Sequence, residues 1–404
     1  MSPRLEWRKS AGRFDRRAGP WVRRKQISRV LGPPDPGAIA ELVDHRGETL
    51  GYGLYSPESA IILRLLGQRP PAADWLERRL DAAIAGRAAM GLGAGANAST
   101  TGYREVNSEG DGLPGLVVDR FADWRVAQIT TAPMAARVEA LVAHLGPRPG
   151  DDLRGLIVLA PESAATREGF DLPLRVVGED APSELRWRER GLSMAAPAPP
   201  AQKTGAYHDQ RDNRAHFATL LGGEAIDPEL PVLDLGCHVG GFALAAARAG
   251  RRVVAVDQSR DALAHARKNA AANGLQDRVE FVSADMFGAL DHDALAGPFA
   301  AAVFDPPKIA SSRRDLDRAT GAMARTMTTL LSRLAPAGLL AACSCSHHLG
   351  GDALDRALWS AAERSGRACT RVASWGPGGD HPVWPGHVEG EYLRVAVYQR
   401  RWDS

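Results

Sequence analysis

Val232-Leu233-Asp234-Leu235-Gly236-Cys237-His238-Val239-Gly240-Gly241-Phe242 decides the fold of this chain. Four residues of strand character run into a glycine-rich turn, and an apolar helix opens behind it. Glycines let a backbone approach a ligand closely, and a helix N-terminus favours an anionic group. Working outward, the chain alternates regularly between strand and helix. Strands are expected near Val232–Leu235, Val253–Val256, Val279–Val282, Ala301–Phe304, Leu339–Ala342, Arg371–Trp375 and Leu393–Gln399. Helices are expected near Gly241–Ala249, Asp261–Asn273, Leu316–Leu334 and Asp352–Ser365. This is the pattern of a doubly wound, Rossmann-like α/β sheet, whose ligands bind at the carboxyl ends of the strands. The aperiodic connection from Gly376 to Glu391 fits a final hairpin strand.

Chemistry-bearing residues collect at those strand ends. Asp234, Gly236 and Gly240 belong to the turn and are candidate cofactor contacts. Asp257 ends the second strand, where a carboxylate can accept both hydroxyls of a ribose. Asp285 closes the third and could accept from an adenine amine. The fourth ends in Asp305-Pro306-Pro307-Lys308. Two prolines remove two backbone donors and fix φ, which holds Asp305 rigidly. The glycine spacing is not that of a dinucleotide-binding turn. A glycine-rich D-L-G turn, an acidic second strand end and D-P-P on the fourth strand, in that order, resemble class I S-adenosylmethionine-dependent methyltransferases.

The fifth strand runs into Cys343-Ser344-Cys345-Ser346-His347-His348. A metal site is a poor reading, because successive strand residues point to opposite faces and no C-x-x-C pair exists. Cys343 reads as a buried thiol and Cys345 as a nucleophile. Thiolate addition to C6 of a pyrimidine makes C5 nucleophilic enough to take a methyl group. Asp305 or Lys308 would then hydrogen-bond the N3/N4 edge of the ring as charge develops there. An exocyclic-amine methylase would need no such cysteine.

The rest of the chain is organised differently. Residues 1–70 read as a small β-barrel of short strands broken by turn signals. Residues 71–187 read as a central α+β domain with an antiparallel sheet. Pro197, Pro199 and Pro200 mark a stiff linker, and the methyltransferase-type domain occupies 188–404.

At 404 residues, with 44% apolar and 24% charged residues, the chain has ample material for several cores. No apolar stretch approaches the ~18 residues of a membrane span. Arg and Lys recur through the first residues where a secretory leader would be apolar. Four cysteines do not make a disulfide framework, so a reducing cytoplasmic setting is expected. The net charge is only +2, yet residues 1–30 hold ten Arg/Lys against two acids. That patch, with Arg16, Arg17, Arg23 and Arg24 as candidate RNA contacts, suggests a polyanionic partner. Forty-five arginines against five lysines make a lysine inside a motif, such as Lys203 or Lys308, worth attention.

Taken together the chain resembles the PUA-domain family of bacterial 23S ribosomal RNA 5-methylcytosine methyltransferases. The first module carries Gly19-Pro20-Trp21-Val22, Gly51-Tyr52-Gly53, Ser56-Pro57 with Ser59, and Arg64. The middle carries Tyr103-Arg104, Gly110 to Leu116 and Asp119-Arg120-Phe121. The run from Lys203 to Arg214 (K-T-G-x-Y-x-D-Q-R-x-N-R), Ser344-Cys345-Ser346 and Asp380-His381-Pro382 complete the likeness. The resemblance implies S-adenosylmethionine as cofactor and ribosomal RNA as partner. It implies Cys345 as nucleophile, and Lys203, Tyr207, Asp209 and Gln210 lining the donor pocket. His238-Val239 before the paired glycines, and His347 after S-C-S, depart from the family pattern. Two other functions fit the same residues: 5-methyluracil formation, and an RNA-binding protein that holds the cofactor without using it. No metal and no membrane are expected, and a homodimer is compatible with the sequence.

Overall fold

The computed structural model describes residues 3–32, 35–93, 99–198, 205–288, 290–308, 315–346 and 351–401. Lys203, His347 and most of the proline linker lie outside the described residues. The chain divides into two compact units. One comprises residues 1–188 with 197–205 and 379–390, and the other 189–196, 206–378 and 391–404.

The first unit begins with a sheet of β1 (Arg4–Trp7), β2 (Trp21–Arg23), β3 (Ile27–Leu31), β4 (Ile39–Val43), β5 (Thr49–Tyr55) and β6 (Ile61–Gly67), in the order β2-β6-β5-β4-β1-β3. Leu5, Val22, Leu42 and Leu63 fill its interior. β1 (Arg4–Trp7) and β3 (Ile27–Leu31) sit within the charge-rich N-terminal run, which hides their alternation in the sequence. α1 (Trp75–Ala89) leads into a second sheet of β7 (Gly102–Asn107), β8 (Leu116–Phe121) and β9 (Trp124–Ile129). α2 (Ala132–Ala135) and α3 (Val138–Leu145) then carry the chain to β10 (Gly155–Leu159), and α4 (Glu162–Glu168) to β11 (Arg175–Gly178). The order is β11-β10-β9-β8-β7, and β10 runs parallel to β9. The sheet is therefore mixed, not antiparallel as expected. The helical crossover between β9 and β10 makes that parallel pairing feasible.

Leu54 and Leu66 of the first sheet share one apolar core with Leu80, Val118 and Leu156, so the two sheets belong to one body. Arginine holds much of this unit together. Arg64 donates to Glu168 at 2.7 and 3.3 Å, with both side chains almost fully buried. Arg87 forks onto Asp111 at 2.6 and 2.7 Å and also donates to the Asp380 carbonyl at 2.8 Å. Asp380 accepts from the Arg104 backbone N–H at 2.9 Å. These bonds explain why residues 379–390 fold with this unit.

Two strands, β12 (Glu184–Glu189) and β13 (Leu192–Pro197), lie where the chain passes from one unit to the other. Pro197 thus ends a strand rather than starting a linker.

The second unit opens with α5 (Arg211–Leu220). It continues with β14 (Val232–Leu235), α6 (Gly241–Arg248), β15 (Val253–Asp257), α7 (Arg260–Ala272), β16 (Val279–Ser283), β17 (Phe299–Phe304) and α8 (Leu316–Arg333). It ends with β18 (Leu334–Ser344), α9 (Gly351–Ser365), β19 (Cys369–Trp375) and β20 (Arg394–Arg400). The sheet order is β16-β15-β14-β17-β18-β20-β19. The first five run parallel, and β20 is antiparallel to both its neighbours, as a final hairpin requires. The order reverses between β14 and β17, which places the ligand crevice of this sheet at their carboxyl ends.

Removing Arg64 would leave the Glu168 charge buried without its partner. Arg64→Ala should therefore destabilise the first unit by about 3–5 kcal/mol, read from the midpoint of denaturant unfolding. A shift under 1 kcal/mol would place that charge in effective contact with water.

Candidate functional site

Three carboxylates end three adjacent strands. Asp234, in β14, is 1% exposed, and its Oδ2 accepts from the Ala243 backbone N–H of α6 at 2.8 Å. Asp257 ends β15; its Oδ2 accepts from the His238 N–H at 2.9 Å and its Oδ1 from the Ser259 N–H at 2.8 Å. Asp305 follows β17, and its Oδ2 accepts from Gln210 Nε2 at 3.2 Å. Asp285 lies two residues beyond the end of β16, not on it, and accepts from the Phe287 N–H at 2.9 Å.

The turn between β14 and α6 is shaped by these bonds. Gly236 has φ +97°, and a Cβ there would meet the Asp305 carbonyl oxygen at 2.5 Å, so the turn and the D-P-P strand end are in backbone contact. Gly240 also has positive φ and precedes α6. His238 (φ +50°) and Tyr207 (φ +52°) both adopt the left-handed region that non-glycine residues rarely enter. Their rings meet edge to face at 5.1 Å. His238, a departure from the family pattern, thus packs against a residue of the Lys203–Arg214 run.

That run bonds to several other segments of the unit. Asp209 Oδ2 accepts from the Tyr392 hydroxyl at 2.6 Å, and the Asp209 carbonyl from the Gly378 N–H at 3.1 Å. Arg214 donates to both oxygens of Glu189 at 2.9 and 2.7 Å, and to the carbonyls of Ala206 and Tyr207 at 3.4 and 3.2 Å. A Cβ on Gly241 would lie 2.4 Å from Arg214 Nε. The guanidinium therefore ties the start of α6 to residues 206–207. Asn213, Arg214 and Tyr392 have no role legible in the sequence alone. The first two sit inside the recognised run, where their one signal was its density of polar groups. Tyr392 carries none, because its partner is 183 residues away.

The cysteines differ sharply. Cys343, the penultimate residue of β18, is fully buried. Burial, reinforced by the Asp305 charge, pushes its thiol well above the ordinary range, although a hydrogen bond with Gln210 acts against that. Burial likewise pushes Cys237 well up, with Asp234 and Asp257 adding to it, and lifts Cys369 to about 11. All three are therefore protonated thiols at neutral pH. Cys345 lies one residue beyond β18 and is only half-buried. Pro307 and Lys308 are exposed. These residues fit a nucleoside-type cofactor: Asp257 at a strand end and Asp285 just beyond one can accept hydroxyl or amine hydrogens, beside a glycine turn.

The basic patch is in the first unit. Arg16, Arg17 and Arg24 are exposed, donating in turn to the Leu50 carbonyl, the Asp15 carboxylate and the Ser59 carbonyl. Arg23 is half-buried, paired with Glu389 at 2.8 Å and set 5.9 Å from the Trp21 ring centroid.

The PUA-like domain family matches residues 8–68, and the methyltransferase domain family matches 232–329. A ribosomal RNA large subunit methyltransferase of Deinococcus radiodurans is 34% identical over 98% of this chain and 98% of its own. Ribosomal RNA large subunit methyltransferase I of Photobacterium profundum is 33% identical over 94% of each. The chain belongs to the ribosomal RNA large subunit methyltransferase family. A S-adenosylmethionine-dependent methyltransferase structure from Streptococcus mutans superposes with a TM-score of 0.80 over 99% of this chain and 100% of that one, at 18% identity, which speaks for the fold. Among the described residues no helix is long and apolar enough to cross a membrane.

Asp234 yields a test of the site's electrostatics. Burial, aided by the charges of Asp305 and Asp257, lifts its pKa from 3.8 to about 7, against the pull of the Ala243 N–H and Arg214. A carboxyl raised on folding contributes stability that is full below pH 3.8 and lost as pH rises through about 7. Asp234→Asn, which cannot ionise, should therefore gain stability relative to wild type between pH 4 and 7 and hold that gain above it. Denaturant unfolding at pH 5, 6, 7 and 8 measures this; a difference that does not change with pH would show that Asp234 titrates normally.

Proposed function

We propose that this protein transfers a methyl group from S-adenosylmethionine to C5 of a cytosine in large-subunit ribosomal RNA, through a covalent bond between Cys345 and C6 of the base. The observation that carries this reading is the contrast among the cysteines. Cys237 and Cys343 are buried, and half-buried Cys369 opens β19 at the opposite end of the sheet, whereas Cys345 is half-buried just past β18, next to the strand that runs into Asp305 and the D-P-P turn.

In this reading Asp257 accepts the ribose hydroxyls of the donor, and its backbone hydrogen bonds hold the carboxylate in place for them. Asp285 faces the adenine amine. Tyr207, Asp209 and Gln210 line the donor pocket together with Gly236 and Gly240, and Lys203 belongs to the same group. Asp234 acts beneath the pocket by anchoring α6. Bound S-adenosylmethionine supplies an electrophilic methyl group and leaves as S-adenosylhomocysteine. The Cys345 thiolate adds to C6 of an extruded base, and the electron pair displaced from the C5–C6 bond makes C5 nucleophilic. Asp305 and Lys308 hold the N3/N4 edge while charge develops on the ring. Once C5 carries the methyl group, its proton leaves to a base, the C5–C6 double bond re-forms and the Cys345–C6 bond breaks. The arginines of the first unit bind phosphates, with Arg23 the least available of the four because Glu389 already pairs with it.

Mass spectrometry of ribosomal RNA nucleosides from cells with and without the protein should show one 5-methylcytosine lost. RNA containing 5-fluorocytosine should trap wild-type enzyme as a denaturation-resistant adduct, since fluorine cannot leave as a proton does. Cys345→Ala should abolish both adduct and methylation and still bind donor and RNA. Cys343→Ala should retain activity. An adduct that persists in Cys345→Ala and disappears in Cys343→Ala would move the nucleophile to Cys343.

Salt titrations of RNA binding test the patch. Each of Arg16, Arg17 and Arg24 neutralised should flatten the dependence of log K on log salt by roughly 0.7–0.9, with a smaller effect for Arg23. An unchanged slope in the triple variant would put the RNA elsewhere.

A further inference from the structure

We propose that a buried hydrogen-bond relay, Gly376 to Asn213 to Gln210 to Asp305, selects cytosine over uracil, with Asn213 as its positioning residue; this rests on the cytosine-C5 reading above. The relay begins at a group that cannot reverse. The Gly376 carbonyl only accepts, and it takes a hydrogen from Asn213 Nδ2 at 3.0 Å. The second hydrogen of that nitrogen goes to Gln210 Oε1 at 2.7 Å. The carbonyl end of the Gln210 amide must then face Asn213, and its NH2 end must face the other way. There it meets Asp305 Oδ2 at 3.2 Å.

Turning the Gln210 amide over would set its oxygen against a carboxylate and its NH2 against the NH2 of Asn213. Both contacts are repulsive, and water cannot relieve them, because Asn213 and Gln210 are 2% and 3% exposed. One backbone carbonyl, two residues before the chain leaves this unit, thus decides the polarity of a contact at the D-P-P turn. Asp305 therefore meets the relay as a hydrogen-bond acceptor.

That polarity distinguishes the two pyrimidines. Cytosine carries a hydrogen-bond donor on C4, the exocyclic amine, and uracil carries an acceptor oxygen at the same place. An acceptor carboxylate opposite that position holds cytosine and repels uracil. The thiol chemistry at C6 is common to both bases, so selection has to come from the edge of the ring. A site whose buried polar group is left unpaired or opposed by the wrong substrate discriminates far more strongly than one that differs only in fit.

The test uses the full-length enzyme with two transcripts of a large-subunit ribosomal RNA fragment. One carries cytosine at the position that wild type methylates, and the other carries uracil there. Wild type should form 5-methylcytosine and little 5-methyluracil. Asn213→Ala removes the donor that orients Gln210, and Gln210→Leu removes the donor to Asp305. Each should lower kcat/KM on the cytosine transcript roughly tenfold to a hundredfold and reduce its preference over uracil. The double variant should be no worse than the poorer single one, because both act through one contact. Asn213→Asp, an acceptor in the same place, should draw the Gln210 NH2 away from Asp305 and erode selectivity further; if it does not fold, Asn213→Ala carries the test. Melting temperature and calorimetric affinity for S-adenosylmethionine separate loss of fold or donor binding from loss of selection. Folded, donor-binding variants that keep the wild-type cytosine preference, or single effects that add, would overturn the relay. Wild type that forms no 5-methylcytosine would instead overturn the proposed reaction.

Discussion

Like charges converge at the carboxyl end of the second unit's sheet, and the site is built around containing them. Asp234, Asp257 and Asp305 end neighbouring strands. Each is met by its own donors: the Ala243 N–H for Asp234, the His238 and Ser259 N–H groups for Asp257, and the Gln210 amide for Asp305. The least exposed, Asp234, is pushed toward neutrality instead, with a pKa of about 7. Buried carboxylates survive only when hydrogen-bonded or neutral, and this crevice uses both solutions. The glycine turn serves this arrangement, since it aims the His238 N–H at Asp257 and leads into α6, whose Ala243 N–H meets Asp234. The left-handed backbone of His238 is part of that aim, because its N–H is one of the two that hold Asp257.

Arginine plays the complementary part. Arg214 spans Glu189, the carbonyls of residues 206 and 207 and the start of α6, and so positions the run that contains Tyr207, Asp209 and Gln210. In the first unit Arg64, Arg87, Arg104 and Arg125 each pair with a buried or nearly buried carboxylate. A rigid planar fork suits such paired burial better than a flexible ammonium does. The chain's strong preference for arginine over lysine is therefore as much a matter of interior architecture as of surface charge.

The thiols illustrate how placement sorts residues of one type. Cys343 and Cys345 are two positions apart, and strand alternation puts them on one face. β18 ends at Ser344, so Cys343 is closed in by the sheet and the charge of Asp305, whereas Cys345 has left it. Cys343 is not surrounded by inert apolar packing alone, as its motif position suggested; its thiol meets Gln210.

The sequence by itself determined the second unit's sheet, because hydrophobic periodicity and turn residues are local. The strand at Val232–Leu235, the turn behind it and the strand ends at Asp257 and Asp305 could all be read directly. So could the Lys203–Arg214 run, as a dense and specific motif. Elements masked by charge or by weak periodicity could not, among them β1, β3, β7, β12 and β13. The parallel pairing of β10 with β9 was equally hidden, since strand direction depends on the path of the crossover and leaves no periodic trace. Only the tertiary structure decided the partners of the polar groups. Gln210 meets Asp305 across 95 residues, Asp209 meets Tyr392 across 183, and Arg23, read as an RNA contact, meets Glu389 across 366. The chemical capacity of such side chains is written in their identity. Which of their hydrogen bonds is already taken depends on chain segments that folding alone brings together.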